Sequence, residues 1–172
     1  MDTLEQLGFT IADRIWIATA LLHQEFPSKA TFNRDEIRRK LALEGLDGGI
    51  KSGSINAHLS DHLVANVPAS SGKYRMLFEE SPGNLRLFRP GDLTHPSRVQ
   101  RRRPSKSIPN VEQIPMKYRR LLEWYEMWSK RLQRTSNSWQ DDPLIRLIGS
   151  GKHIWADEHA DEYVNRLREE PA

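Results

Sequence analysis

The chain has 172 residues, with 26 Lys+Arg against 23 Asp+Glu and no cysteine. That excludes a disulfide framework, a thiolate nucleophile and any zinc site built on thiolates. At 37% hydrophobic and 28% charged residues, the chain has enough apolar surface for a core and is no disordered polyelectrolyte.

The length predicts one domain, or one small domain with an extension. No apolar run approaches the roughly 18 residues of a membrane span, and no basic-then-apolar leader opens the chain, so a soluble, cytoplasmic protein is expected. The net charge of +3 hides a division. Residues 1–88 hold 10 basic and 11 acidic side chains, and residues 89–107 hold six basic against one acidic. The closing residues 141–172 carry four basic and eight acidic. Blocks of such different sign suggest different roles.

Ile11 to Phe26 places Ile11, Ile15, Ala18 or Thr19, and Leu22 at three- and four-residue spacing, joined by Trp16 and Leu21. This predicts a helix with one wide apolar face, stopped by Pro27. Thr31-Phe32 reads as short and extended. Asn33 with Glu36 forms a capping-box pattern opening a second helix, with Ile37 and Leu41 inward and an end near Gly45. Ser54 is expected to cap a third helix carrying Ile55, Leu59 and Leu63 on one side. Tyr74–Glu79 and Leu85–Arg89 read as two strands joined by the turn Ser81-Pro82-Gly83-Asn84.

This order is similar to that of the winged helix-turn-helix family. TFNRDEIRRKLALEGL, KSGSINAHLSDHLVAN and YRMLFEESPGNLRLFRPGD resemble it in order and spacing over about residues 8–92. They look most like the small winged-helix modules of uncharacterised or restriction-associated bacterial proteins. The resemblance implies a mainly α fold with a β-hairpin wing, its third helix entering the DNA major groove. Short polar side chains let such a helix approach the bases, and Lys51, Ser52, Ser54, Asn56 and Ser60 fit. Asn56 is the candidate for an adenine edge. Lys73, Arg75 and Arg86 on the wing would meet phosphate or the minor groove. The alternative is a winged helix used for protein contacts, with the serines and asparagine only capping and solvating.

Pro90, Pro96, Pro104, Pro109 and Pro115 punctuate the basic stretch, so residues 93–114 are expected to be an extended linker. Its Arg101, Arg102 and Arg103 could lie along DNA as a sequence-independent arm. From Pro115, a helix start, Tyr118, Leu121, Leu122, Tyr125, Trp128 and Leu132 form an apolar stripe widened by Trp124. The stripe either docks on the winged helix or joins two copies into a homodimer through 115–134. Residues 115–172 are thus read as a helical C-terminal region.

Its last part, DPLIRLIGSGKHIWADEHADEYVNRLREEP, is similar to the tails of antitoxins that pair with PIN-domain ribonuclease toxins. That resemblance implies that Leu144, Leu147, Trp155, Tyr163 and Leu167 fill a partner's groove. Arg166 or Arg168 would approach its acidic centre. The tail could instead pack on its own chain.

No catalytic residue, metal site or cofactor is expected. Gly149-Ser150-Gly151-Lys152 lacks both the earlier glycine and the following Ser or Thr of a P-loop. His58 and His62 have zinc-compatible spacing without an evident third ligand. The tail acids fit a helix N-terminus better than a magnesium site. The sequence therefore points to a DNA-binding regulator with a partner-binding tail, or to a non-catalytic adaptor in a restriction or nuclease system.

Overall fold

The computed structural model describes residues 9–68, 74–99 and 105–137. Contacts divide the chain into two units, Met1–Ser129 and Lys130–Ala172. In the first, the described residues are helix-rich, with a small three-stranded antiparallel sheet. No helix among the described residues is long and apolar enough to cross a membrane.

Helix α1 (Ile11–Glu25) begins at a capping box. The Thr10 hydroxyl accepts the Asp13 N–H at 3.2 Å, and the Asp13 carboxylate accepts the Thr10 N–H at 3.2 Å, closing two otherwise unpaired donors. Its end at Glu25 fits Pro27, which disfavours helix in the preceding residue. The single wide apolar face expected for α1 is an underestimate. Ala12, Ile15, Trp16, Ile17, Ala18 and Ala20 are all fully buried, so α1 is the central helix.

Strand β1 (Phe32–Asn33) leads into α2 (Arg34–Leu43), where the Asn33–Glu36 capping box forms with both bonds at 2.9 Å. Ile37 and Leu41 are fully buried, as their spacing predicts. Gly45, at φ 65°, terminates α2. The Leu46 N–H reaches Leu41 O at 2.8 Å and the Gly45 N–H reaches Ala42 O at 3.0 Å, the paired bonds of a left-handed C-cap.

Helix α3 (Ser52–Ala57) continues as a π-helical turn over His58–His62. Ile55, Leu59 and Leu63 face the core. Ser54 does not cap it: Lys51 holds the N-cap position, without a side-chain bond, and Ser54 lies in the first turn.

Strands β2 (Leu77–Ser81) and β3 (Asn84–Leu87) form the hairpin, shorter at both outer ends than expected. Pro82-Gly83 makes the turn, with Gly83 at φ 78°. The register pairs Leu77 with Leu87, Phe78 with Arg86 and Glu79 with Leu85, followed by a bulge before Ser81. Phe32 pairs with Leu85, so β3 is central in the order β1-β3-β2.

A free, extended linker over 93–114 is corrected by the described part of that segment. Pro96–Val99 is a helical turn, α4, and Arg98, Ser105 and Ile114 are buried. Lys106 Nζ sits 2.9 Å from the fully buried Asp13 carboxylate. After a 3-10 turn at Met116–Tyr118, helix α5 runs Arg120–Asn137. Tyr118, Leu121 and Tyr125 join the core around α1, with the Tyr125 ring edge-on to Trp16 at 5.5 Å. The early part of the aromatic stripe is thus covered by its own chain. Residues 105–129 belong to the same compact unit as the hairpin.

Candidate nucleic-acid interface

The third helix presents the residues expected of it with uneven exposure. Lys51 and Ser52 are exposed, whereas Ser54, Asn56 and Ser60 are half-buried. The buried positions Ile55 and Leu59 alternate with these, as an element lying on the core surface requires.

Asn56 carries a constraint its sequence position did not reveal. Its Oδ1 is enclosed without a hydrogen-bond partner among the described residues. A bidentate contact to adenine uses both amide atoms. The side chain must therefore turn before it can read an adenine edge in that way.

His58 and His62 follow on the π turn. The His58 Nδ1 lies 2.8 Å from Ser54 O, and the two rings stand 4.8 Å apart. Burial pushes the His58 pKa down and proximity of His62 adds to this, against the opposing bond to Ser54. No group of three metal-ligating side chains occurs among the described residues.

The predicted wing cations separate. Arg75 is half-buried, with its guanidinium 5.5 Å above the Phe88 ring, and its backbone N–H donates to Lys106 O at 2.9 Å. Arg86 is corrected. It is only 5% exposed and cannot serve as an open phosphate contact. Its Nη1 and Nη2 grip Asp92 at 2.6 and 2.8 Å, its Nε meets Glu80 at 2.5 Å, and Phe78 lies beneath it at 4.4 Å. Burial alone would lower its pKa, but the bonds to Asp92 and Glu80 leave it raised. A bidentate, charge-assisted pair of this kind locks the root of the hairpin.

Lys73, Arg101, Arg102 and Arg103 lie outside the described residues, as do Leu144, Leu147, Trp155, Tyr163, Arg166, Leu167 and Arg168.

One positioning residue escaped the sequence reading. Arg98 is 3% exposed, and its guanidinium donates to the carbonyls of Asp61, His62, Val67 and Tyr74. It thereby ties the end of the π turn to the start of the hairpin arm. Only its place in a proline-spaced turn distinguishes it in sequence, and its partners lie 24 to 37 residues away. Arg14 is similar: its Nη1 donates to Leu46 O at 3.3 Å and Gly48 O at 2.9 Å, holding the loop before α3.

Comparison with known proteins finds no match among family models, curated proteins or solved structures.

Proposed function

We propose that the chain is a double-stranded DNA-binding protein of winged helix-turn-helix type, acting as a transcriptional regulator. The observation that carries this reading is the element order α1-β1-α2-α3-β2-β3 with sheet order β1-β3-β2, in which α3 opens on an exposed lysine and serine. In such a module the third helix meets the major groove and the hairpin flanks it. Lys51, Ser52, Ser54, Asn56 and Ser60 supply the groove face, Arg75 and Lys73 the wing, and Arg101, Arg102 and Arg103 sequence-independent phosphate contacts.

The acidic tail is the partner-binding element of this proposal. Its most concrete form is an antitoxin that represses its own operon while its tail blocks a PIN-type ribonuclease. The support is the resemblance of residues 142–171 to such tails.

Anisotropy of labelled duplex with the full chain tests the DNA reading. Ser54→Ala with Asn56→Ala should weaken binding, while removal of 141–172 should spare it and abolish capture of the partner ribonuclease. A fragment ending at residue 92 is unsuitable, because Ile114, Tyr118, Leu121 and Tyr125 complete the core.

One observation favours an adaptor using the winged helix for protein contacts. Arg86 is ion-paired and Arg14 and Arg98 are turned onto backbone carbonyls, so none of these three guanidinium groups is presented as an open phosphate contact. Absence of duplex binding at physiological salt, with partner capture intact, would select that reading.

A further inference from the structure

Between the N-terminus of α1 and the loop leading into α3 lies a cavity of about 500 Å³. Phe9, Ile11 and Ile50 give it an apolar side, and Arg14, Lys51 and Ser54 a polar one. Two cations line it and no carboxylate does, among the described residues.

The state of Arg14 is informative. Its residual exposure is 9%, its Nη1 is engaged by Leu46 O and Gly48 O, and its Nε is enclosed. Nη2 is neither enclosed nor given a partner among the described residues, so it is the nitrogen left open on the side chain that lines the cavity. The guanidinium is anchored by the Leu46 and Gly48 carbonyls and lies 5.3 Å over the Phe9 ring. A cation fixed in this way loses little freedom when it binds. Lys51 adds a second positive charge, and its side chain makes no capping bond that binding would break.

The volume is that of a small-molecule site, whose usual composition is an apolar wall with a few convergent polar groups. We infer that this cavity binds a small organic anion with a flat apolar body, of the size of a two-ring aromatic carboxylate. The carboxylate meets Arg14 Nη2 and Lys51, and the ring system lies against Phe9, Ile11 and Ile50. An occupant would also take Lys51 and Ser54 away from a duplex. That consequence rests on the DNA reading, whereas binding of the anion does not.

The test titrates the full chain, without DNA, with naphthoate and with its uncharged analogue naphthamide, following backbone amides by NMR. The amides of Gly48, Gly49 and Ile50 should shift together and saturate with naphthoate. Naphthamide should bind at least about tenfold more weakly, the loss expected for a charge-assisted hydrogen bond. Arg14 also holds the loop, so the charge test is made at the exposed Lys51. Lys51→Glu should weaken naphthoate by about tenfold or more and leave naphthamide unchanged. Lack of saturable shifts at those amides, equal affinity for acid and amide, or indifference to Lys51→Glu would each overturn the assignment. Ligand binding without competition against duplex would leave the site standing and remove only its coupling to DNA.

Discussion

His23 makes the stability of this protein depend on pH in a way that can be worked out from its surroundings. It sits in the last turn of α1, only 3% exposed, its ring 4.9 Å from those of both Phe32 and Trp128. Its Nε2 faces the Leu87 N–H at 3.5 Å, an acceptor role that requires the neutral ring. Burial, with the positive charges of Arg89 and Arg86, pushes its pKa down from 6.5 to about 4. In the unfolded chain the imidazole protonates near 6.5, while the native one stays neutral down to about 4.

The unfolded state therefore binds more protons in that window. Stability from this group is fully present above 6.5 and is lost as pH falls towards 4. The gap corresponds to about 3 kcal/mol. Urea unfolding followed by tryptophan fluorescence across that window should be compared between the parent and His23→Phe. The substitution has its own constant cost, because the Leu87 N–H loses its acceptor. Its fall in stability on acidification should nevertheless be smaller than the parent's by about 3 kcal/mol. Glu36 and Glu44, whose pKa values are held down by bonds to Lys29 and Lys40, lose stability with acid in both proteins and cancel. Equal acid losses in the two proteins would refute the reasoning.

Arg98→Met strands four backbone carbonyls that its guanidinium now serves and should cost about 3 kcal/mol or more by chemical denaturation. A loss under about 0.5 kcal/mol, the range of ordinary surface changes, would show that it is no clamp. Arg86→Met leaves the half-buried Asp92 carboxylate without its bidentate partner and should destabilise by about 3–5 kcal/mol. Its duplex affinity, corrected for the folded fraction, should match the parent; a specific loss would restore Arg86 as a DNA contact. Tyr125→Phe removes the hydroxyl that donates to Phe88 O at 2.5 Å and should cost about 1–2 kcal/mol. In the parent, burial, with the nearby Asp92 charge, moves that phenol's pKa up to about 12, so its alkaline absorbance titration should be displaced accordingly.

Local signals were legible where the partner groups are neighbours in sequence. Asn33 and Glu36 announce the start of α2, Pro82-Gly83 the hairpin turn, and Ile55, Leu59 and Leu63 the inward side of α3 and the π turn that continues it. The Thr10–Asp13 box escaped notice because its acid is the shorter aspartate, set within an otherwise apolar run. Long-range partners were not legible. Arg86 looks like a wing cation until Asp92 and Glu80 close on it from either side in space. Arg98 looks like part of a basic linker until its carbonyl partners converge. The all-round burial of α1 depends on residues 114–125, about a hundred positions away, whose apolar stripe named no target by itself. The candidate interface was partly legible: Ser52, Ser54 and Asn56 fall on α3, with Lys51 at its N-cap and Ser60 on the π turn that follows, but the enclosure of Asn56 Oδ1 follows from packing alone.

The central claim is that α3 and the basic segment read duplex DNA together. It is tested most directly by anisotropy of the full chain on mixed-sequence duplex across a salt series, beside Lys51→Glu and a chain with Arg101, Arg102 and Arg103 changed to Gln. The account predicts binding that weakens linearly in log–log form with salt. The slope should fall by about one on loss of the Lys51 contact and by up to about three on loss of the arginines. Absence of binding at physiological salt, or a slope indifferent to both variants, would contradict it.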